Sequence, residues 1–159
     1  MIRHDPTNAD DLIDSRDIIK RISELEDERE ALTDAISEAQ ERANANPSQG
    51  GQDETPTEDA LEKTKAALIE WDTEEGAELK TLQDLADQAE GYADNWKHGA
   101  SLIRDSYFET YAQDLAEDIG AVPRDVAWPC TCIDWKRATD ELKQDYTSAD
   151  FDGVDYWIR

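Results

Sequence analysis

Residues 18–43, IIKRISELEDEREALTDAISEAQERA, decide the fold class through the spacing of their core positions. These positions recur at alternating intervals of four and three residues, which is the heptad pattern of helices that pack side by side. The pattern predicts a helix from about residue 8 to residue 46, with a coiled-coil seam along one face. The predicted seam consists of Ile18, Ile22, Leu25, Arg29, Leu32 and Ile36, and the spacing continues to Ala39 and Ala43.

One seam position holds a charged residue. Arg29 stands where the neighbouring heptads place isoleucine or leucine. A charged residue at such a position costs stability and fixes the register or the choice of partner. We therefore expect Arg29 to meet an acidic residue of the facing helix.

A second helix is predicted after a loop. Residues 44–56, NANPSQGGQDETP, read as a loop or linker because Asn, Pro, Gly and Gln dominate them. Thr55 is the expected N-cap, Pro56 takes the first helical position and Glu58 closes a capping box. The simplest arrangement folds this helix back along the first as an antiparallel hairpin, and the alternative is pairing between two chains.

The heptad frame of the second helix is interrupted midway. Its apolar members are Leu61, Leu68, Leu79, Leu82, Ala86, Ala89, Ala93 and Trp96, and its polar interruptions are Lys65, Asp72 and Glu75. Because Gly76 follows these interruptions, we expect a kink or a fresh helix start at Thr73. The pair His98-Gly99 is expected to end the helix.

Residues 102–119 predict a further helix, with Ser101 as its cap and Gly120 as a left-handed terminator. Placing side chains at intervals of 100° separates an apolar arc from an acidic side. The arc contains Tyr107, Phe108, Tyr111, Leu115 and Ile119, and the acids Asp105, Glu109, Asp114 and Glu117 fall mostly opposite it. The aromatic residues are thus expected in a core and the acids on a solvent face.

The C-terminal residues predict a short helix and a β-hairpin. After a turn at residues 121–129, Asp134 is the expected N-cap of the short helix. Asp152-Gly153 is a type I′ turn signal between two short strands. The side chains expected to point inward from the short helix are Trp135, Ala138 and Leu142, and the tryptophans expected in the core are Trp128, Trp135 and Trp157.

These elements predict a mainly α fold of the α+β kind. Residues 1–98 would form a helical, coiled-coil-like hairpin with its loop at 44–56. Residues 99–159 would form a small α+β domain of two helices and a β-hairpin, so that the whole chain is elongated. The apolar content of 38% agrees with this, since it is low for a single compact core.

The chain is strongly acidic along its whole length. It has 40 Asp and Glu against 16 Lys and Arg, and the net charge of −24 divides into −7, −10 and −7 over residues 1–46, 47–98 and 99–159. Such a chain repels DNA and anionic membranes and favours basic partners. The same composition is typical of halophilic adaptation, which is compatible with any function.

Targeting signals are not found in the sequence. No apolar run approaches the roughly 20 residues that span a bilayer, and the first residues, MIRHDPTNADDL, lack the apolar region of a signal peptide. We expect a cytoplasmic protein with neither a membrane partner nor a directly bound nucleic acid.

Metal-binding signals are weak. Cys130-x-Cys132 supplies two thiols, but zinc takes four ligands, and the two histidines, His4 and His98, are distant in the sequence. The aspartates around Asp152 lack the twelve-residue loop and closing Glu of a calcium site. We expect no bound metal and no cofactor.

Catalytic signals are equally weak. The sequence contains no phosphate-binding, dinucleotide-binding, serine-hydrolase or zinc-protease motif. General acid–base catalysis needs a carboxyl group whose pKa is shifted by burial, whereas nearly all acids here fall on polar helical faces. We expect the protein to have no enzymatic activity. The contrary hypothesis, clustered carboxylates acting with a divalent metal, requires a large rise in melting temperature on adding the metal.

The predicted acidic face has a spacing comparable to that of a DNA strand. Positions four apart on an α-helix are separated axially by about 6 Å, and B-DNA presents about one charge per 1.7 Å of axis. Asp105, Glu109 and Glu117 are expected to form a ladder of this scale. The partner-binding acidic face is predicted to comprise Asp105, Glu109, Asp114, Glu117, Asp118, Asp140, Glu141 and Asp145.

Two C-terminal segments resemble a known family. They are SYFETYAQDLAEDIGAVP at 106–123 and CIDWKRATDEL at 132–142, followed by the terminal hairpin. Over residues 100–159 the chain resembles the last domain of ArdA-type antirestriction proteins of phages and conjugative elements. The positions that carry the resemblance are Tyr107, Tyr111, Ala112, Glu117, Gly120, Ala121, Ile133, Asp134, Trp135 and Leu142.

The resemblance implies a DNA mimic. Proteins of this family are acidic and elongated, form dimers and bind type I restriction–modification enzymes in place of DNA. It implies a homodimer in the bacterial host cell that occludes the basic DNA-binding groove of a restriction–modification or related defence enzyme. The alternative is a coiled-coil interaction or structural protein, in which residues 10–97 assemble chains and the acidity serves solubility or a saline habitat.

Overall fold

A computed structural model of the chain describes residues 5–45 and 56–159, with side chains described from residue 58 in the second range. His4, the expected N-cap Thr55 and the part of the predicted loop at 46–55 lie outside the described residues. The contacts divide the chain into two units, Arg21–Thr81 and Met1–Lys20 with Leu82–Arg159. This division differs from the sequence-based boundary at residue 98, because the N-terminal segment pairs with strands of the C-terminal part.

The unit Arg21–Thr81 consists of parts of two long helices, α1 (Ser15–Ala45) and α2 (Pro56–Ala89). They pair antiparallel within one chain, since Arg21 bonds to Glu78 whereas Arg29, later in α1, bonds to Asp72, earlier in α2. Arg29 thus meets an acidic residue of the facing helix, as predicted. The core side chains of this unit are Leu25, Ala39, Leu61, Trp71 and Leu79, while Ile22, Leu32 and Ile36 are half-buried.

Helix α2 runs without a break through Thr73, so the predicted fresh helix start there is wrong. The Thr73 hydroxyl donates to the Ile69 carbonyl of the preceding turn at 2.8 Å and caps nothing. Gly76 occupies an ordinary helical position, where an added Cβ would meet no atom closer than 3.7 Å. The polar frame position at Asp72 is matched by an arginine of α1, which removes the reason for a break.

The second unit contains a four-stranded antiparallel sheet of order β1-β2-β4-β3. The strands are β1 (Leu12–Asp14), β2 (Ser101–Arg104), β3 (Thr147–Phe151) and β4 (Val154–Ile158). Ile13 stands opposite Leu102, and Ile103 stands opposite both Leu12 and, on its other side, Trp157. The sheet therefore extends the predicted hairpin by two strands from elsewhere in the chain.

Strands β1 and β2 correct two helix predictions, over residues 8–14 and 102–104, and Ser101, expected to cap a helix, is the first residue of β2. The first core position of the heptad pattern is Ile18, so the predicted start at about residue 8 extended the helix ten residues beyond the pattern. Leu102 and Ile103 are both fully buried, which suits a strand covered on both faces. The two strands pair across almost ninety positions of sequence, and local periodicity cannot show such a pairing.

The segment after α2 also differs from the predicted single helix. Helix α2 ends at Ala89, and a 3₁₀ turn (Glu90–Tyr92) and the one-turn helix α3 (Trp96–Gly99) follow. Gly99 adopts a φ of +110° and ends α3, which agrees with the terminator predicted at His98-Gly99. The Ser15 hydroxyl, fully buried, donates to the Trp96 carbonyl at 2.6 Å and accepts from the Ala100 N–H at 2.7 Å.

Helix α4 (Phe108–Asp118) ends just before the predicted terminator, Gly120, and helix α5 (Trp135–Leu142) begins directly after the predicted cap, Asp134. At the C-terminus of α4, Gly120 has a φ of +74°, and its N–H donates to the Glu117 carbonyl at 3.0 Å. The Ala121 N–H donates to the Ala116 carbonyl at 2.9 Å, which completes a Schellman motif. Asp134 caps α5 by accepting from the Arg137 N–H at 3.1 Å.

The terminal hairpin is confirmed, with its edge strand covered by a side chain. Asp152 and Gly153 have φ values of 50° and 79°, as a two-residue type I′ turn requires. Along the outer edge of β3, the Asp150 N–H donates to Gln88 Oε1 at 3.0 Å, and Gln88 Nε2 donates to the Asp150 carbonyl at 3.4 Å. The fold class is thus mainly α with a small antiparallel sheet, as predicted.

The predicted core needs two corrections. Trp128 is 82% exposed and Ile119 is 70% exposed, although both were expected inside. Ile119 lies just beyond the last turn of α4, where the chain already departs from the helix, and Trp128 lies in a turn that no element covers. Phe108, Tyr156 and Ile158 fill the core, with Trp135 and Trp157 half-buried.

Candidate partner-binding surface

The predicted acidic face lies on α4 and α5, which pack against each other. The inner side of α4 carries the buried residues Phe108 and Ala112 with the half-buried Tyr111. The Tyr111 and Tyr146 hydroxyls lie 3.0 Å apart beneath the helix. Burial, together with the bond to Tyr111, raises the pKa of Tyr146 to about 12. Because the apolar side of α4 is fixed in this way, its carboxylates must face outward.

Six carboxylates of the predicted face form no ion pair with any described residue. Within residues 5–45 and 56–159, none of the six forms an ion pair or a side-chain hydrogen bond. All are exposed except Glu117, which is half-buried. They are Glu109, Asp114, Glu117 and Asp118 of α4, Asp140 of α5, and Asp145 of the 3₁₀ turn that follows α5. We call this set the free acidic face.

Asp105 does not belong to the free acidic face. Its Oδ1 accepts hydrogen bonds from Lys143 Nζ at 2.6 Å and from Trp157 Nε1 at 2.7 Å. The Lys143 bond, followed by the Trp157 bond, lowers the pKa of Asp105. Lys143 also lies 4.9 Å from the ring centroid of Trp157 and 5.3 Å from that of Phe108. Asp105 therefore holds β4, α4 and the end of α5 together.

The predicted ladder also loses its first member, Asp105, because of the backbone there. Asp105 lies in a 3₁₀ turn (Asp105–Tyr107) that follows a strand, so it does not stand one α-helical turn before Glu109. Regular helical spacing begins at Phe108. Glu109, Asp114 and Glu117 remain on the helix and keep the axial spacing of a few ångströms that the prediction needs.

Glu141 is the second paired member of the predicted face. Its Oε1 lies 3.3 Å from Arg137 Nε, one helical turn away. Both side chains are largely exposed, so the pair is screened by solvent and contributes little to stability. The Arg137 side chain can leave Glu141 for another partner at small cost.

An exposed apolar segment beside the free acidic face was missed by the sequence reasoning. Ile119, Val126 and Trp128 are 70%, 47% and 82% exposed. Val122, between them, is buried and ties the segment to the end of α4. The available signal was the absence of any apolar periodicity between Gly120 and Asp134, which leaves an isolated tryptophan without an element to bury it.

The described residues that were considered for metal binding form no metal-binding group. Within the described ranges, no group of three or more His, Cys, Asp or Glu side chains is placed to hold a metal ion. Cys130 is half-buried and Cys132 is exposed, and both are free thiols in a 3₁₀ turn. Asp150 Oδ1 accepts from the Gly153 N–H at 3.3 Å and so serves the hairpin turn.

Across the described part of the chain, no helix is both long enough and apolar enough to cross a bilayer. Comparisons with protein-family models, with curated proteins and with solved structures give no match to this chain.

Proposed function

We propose that this protein is a DNA mimic that occludes the DNA-binding groove of a bacterial restriction–modification enzyme or a related defence enzyme. It would be an inhibitor of phage or mobile-element origin and carry out no chemistry of its own. The observation that carries the proposal is the free acidic face, five carboxylates on two packed helices and one in the turn after them, none of which forms an ion pair within the described residues. The resemblance of residues 100–159 to ArdA-type proteins supports the choice of target.

The physical basis is a match of charge and scale. Lysine and arginine side chains in a DNA-binding groove are placed to meet phosphates, which carry one charge per about 3.4 Å of axis on each strand. Glu109, Asp114 and Glu117 are separated axially by about 7.5 and 4.5 Å, from a rise of 1.5 Å per residue. Carboxylates accept the same hydrogen bonds from arginine that phosphates do, so the groove can bind either surface.

The mechanism is competitive occlusion steered by charge. A net charge of −24 attracts a basic groove over long distances and raises the rate of encounter. Exposed charges are screened by salt, since the Debye length falls to about 8 Å at physiological ionic strength. Inhibition should therefore weaken steeply as salt rises, in the way DNA binding itself does.

A displacement assay tests the proposal. A type I methyltransferase core is bound to a labelled duplex, and the protein is titrated in at several salt concentrations. The variant Glu109→Gln/Asp114→Asn/Glu117→Gln should lose at least about tenfold in potency, because charge-assisted contacts dominate such interfaces.

The matched control is Glu30→Gln/Asp34→Asn/Glu41→Gln, which removes the same net charge from exposed positions of α1. The control should stay within about threefold of the wild type, as expected for charges outside the contact. Equal losses in both variants would mean that net charge alone is responsible. If the wild type displaced no DNA, this target would be excluded.

A second candidate is a coiled-coil interaction or structural protein built on residues 21–81. It is favoured by Ile69, which is 67% exposed on α2, and by the half-buried Leu32, Ile36 and Leu68. Another helix would cover these side chains. Light scattering and DNA displacement are measured for the wild type and for Ile69→Glu. If Ile69→Glu dissociates an oligomer and leaves DNA displacement unchanged, α2 carries the assembly and another surface carries the inhibition.

A further inference from the structure

The apolar segment 119–128 combines exposure with a fixed backbone. Trp128 is 82% exposed, and Ile119 and Val126 add further apolar surface. The Val122 N–H donates to the Ala116 carbonyl at 3.1 Å, and the Val122 side chain is buried. At the other end, the Cys130 N–H donates to the Ala127 carbonyl at 2.8 Å and closes a turn around Trp128. The indole is thus presented to solvent from a backbone held on both sides.

An indole left in water is unusual when its backbone is ordered. Single exposed leucines or valines need no explanation, but tryptophan is highly buried on average and is enriched at the energetic centres of protein interfaces. Trp135 and Trp157 in the same unit are half-buried, and Trp157 donates its N–H to Asp105. Among the residues that the structure describes, Trp128 has no such contact, and we interpret its exposure as a place for an external partner.

The charges around the segment select the chemistry of that partner. Glu117 and Asp118 precede it directly, and Arg124 and Asp125 lie within it, which gives these four groups a net charge of −2; Asp118, Arg124 and Asp125 are exposed. The net negative charge around the segment repels nucleic acid phosphates and anionic lipid headgroups. It attracts a basic protein surface, and the guanidinium group of arginine can stack on an indole face while it bonds to a nearby carboxylate.

We infer that Trp128 is the apolar anchor of the contact with a basic, arginine-bearing protein surface, and that Ile119 and Val126 extend that contact. This inference rests on the proposed function and deepens it. Charge matching alone gives an interface that any acidic protein could imitate. A tryptophan in the segment that follows α4 adds a contact that depends on shape and on arginine.

The first test repeats the displacement assay with Trp128→Ala. Because the side chain is 82% exposed, its removal should leave the fold intact, which far-UV and near-UV circular dichroism would verify. The control is Tyr92→Ala, which removes another exposed aromatic side chain, 63% exposed, in the 3₁₀ turn after α2. Trp128→Ala should lose at least about tenfold in potency and Tyr92→Ala less than about twofold, as hot spots differ from rim residues.

The salt dependence separates the anchor from the charges. Trp128→Ala removes no charge, so the slope of log potency against log salt should equal that of the wild type. The triple substitution on α4 should reduce that slope. If the wild type displaces DNA and Trp128→Ala is equally potent, the anchor inference is wrong and the proposed function stands.

If the wild type displaces no DNA, the proposed function is wrong for this target. A second measurement then tests the role of Trp128 by itself. The five tryptophans give indole N–H signals in a ¹H–¹⁵N spectrum, and the signal missing in Trp128→Phe identifies Trp128. A short oligo-arginine peptide should then shift the Trp128 signal more than the other four, and more than an oligo-lysine peptide of equal length does. Equal shifts with both peptides, or no shift at Trp128, would overturn the inference.

Discussion

At the scale of single residues, the structure separates acids that hold the fold from acids that face solvent. Asp105 and Glu109 are only four positions apart and both were predicted to bind a partner. Asp105 is bonded to Lys143 and Trp157, whereas Glu109 has no partner within the described part of the chain. The difference follows from β4, which places Trp157 beside Asp105, and no local pattern in the sequence indicates it.

Asp105→Asn should lower the free energy of unfolding at pH 7. The pKa of Asp105 is lowered in the folded state, so its contribution is present above the unfolded-state pKa, near 3.8, and is lost as pH falls through the lower folded-state value. Because about half of the Asp105 side chain is exposed, screening limits the loss to about 1 kcal/mol. Urea unfolding at pH 7 and at pH 3 measures it. A difference that grows on acidification would contradict the assignment.

Thr139→Val should stabilise the protein. Thr139 is 6% exposed, and its Oγ1 is the buried side-chain polar atom that lacks a hydrogen-bond partner in the described structure. Replacing an unsatisfied hydroxyl by a methyl group of similar volume should raise the free energy of unfolding by about 1 kcal/mol. Thermal and urea unfolding measure the change, with Thr139→Ser as a control that keeps the hydroxyl and should not stabilise.

At the scale of elements, the ends of helices depend on buried contacts as well as on local signals. The Ser15 hydroxyl links the start of α1 to the Trp96 carbonyl and the Ala100 N–H, and the Ser15 N–H donates to the Ala100 carbonyl at 2.9 Å. This clip joins α1, α3 and β2. The sequence predicted uninterrupted helix at Ser15 and a helix end at His98-Gly99, and neither prediction indicates the clip.

Ser15→Ala should destabilise the unit that contains the sheet. The substitution leaves the Ala100 N–H and the Trp96 carbonyl without their buried partner, which should cost about 2 kcal/mol. Hydrogen exchange of the β1 and β2 amides should quicken more than that of the middle of α2. Uniform quickening across both units would show instead that they unfold together.

The two arginines of α1 that face α2 should differ in importance. Arg21 binds Glu78 through two nitrogens, at 2.7 and 2.9 Å, and its side chain is 17% exposed. The Arg29–Asp72 pair is single and its side chains are 54% and 43% exposed. Arg21→Ala should cost about 1–2 kcal/mol and Arg29→Ala less than about 1 kcal/mol. Double-mutant cycles with Glu78→Ala and Asp72→Ala measure the two couplings, and similar values would contradict the ranking.

The elements that the sequence predicted correctly are those with local signals. The Asp152-Gly153 turn, the Asp134 cap and the Gly120 terminator each depend on the chemistry of a few neighbouring residues. Strands β1 and β2 depend on pairing between distant segments, and three- or four-residue strands leave almost no periodicity to detect. The candidate surface followed the same rule, because the outward acids of α4 were predictable, whereas the bonds of Asp105 and the exposure of Trp128 depend on tertiary packing.

At the scale of the whole molecule, charge is the dominant feature. With −24 on 159 residues, self-repulsion acts against the compact state. Added sodium chloride screens this repulsion, while the exposed ion pairs that salt also weakens contribute little. The melting temperature should therefore rise by several degrees between about 10 mM and 500 mM salt. Thermal melts followed by circular dichroism measure it, with potassium chloride as a control for ionic strength. A fall in melting temperature would mean that the ion pairs outweigh the repulsion.

The contact between Gln88 and β3 has a consequence for how this protein behaves at high concentration. A sheet edge offers backbone groups to which a strand of another molecule can add, and this is one way in which aggregates begin. At Asp150 both backbone groups are already occupied by the amide of Gln88, which fills the place of a fifth strand. Charge repulsion between molecules and the Gln88 amide thus both oppose aggregation through this edge. When salt screens the repulsion, the amide still occupies the backbone groups of Asp150.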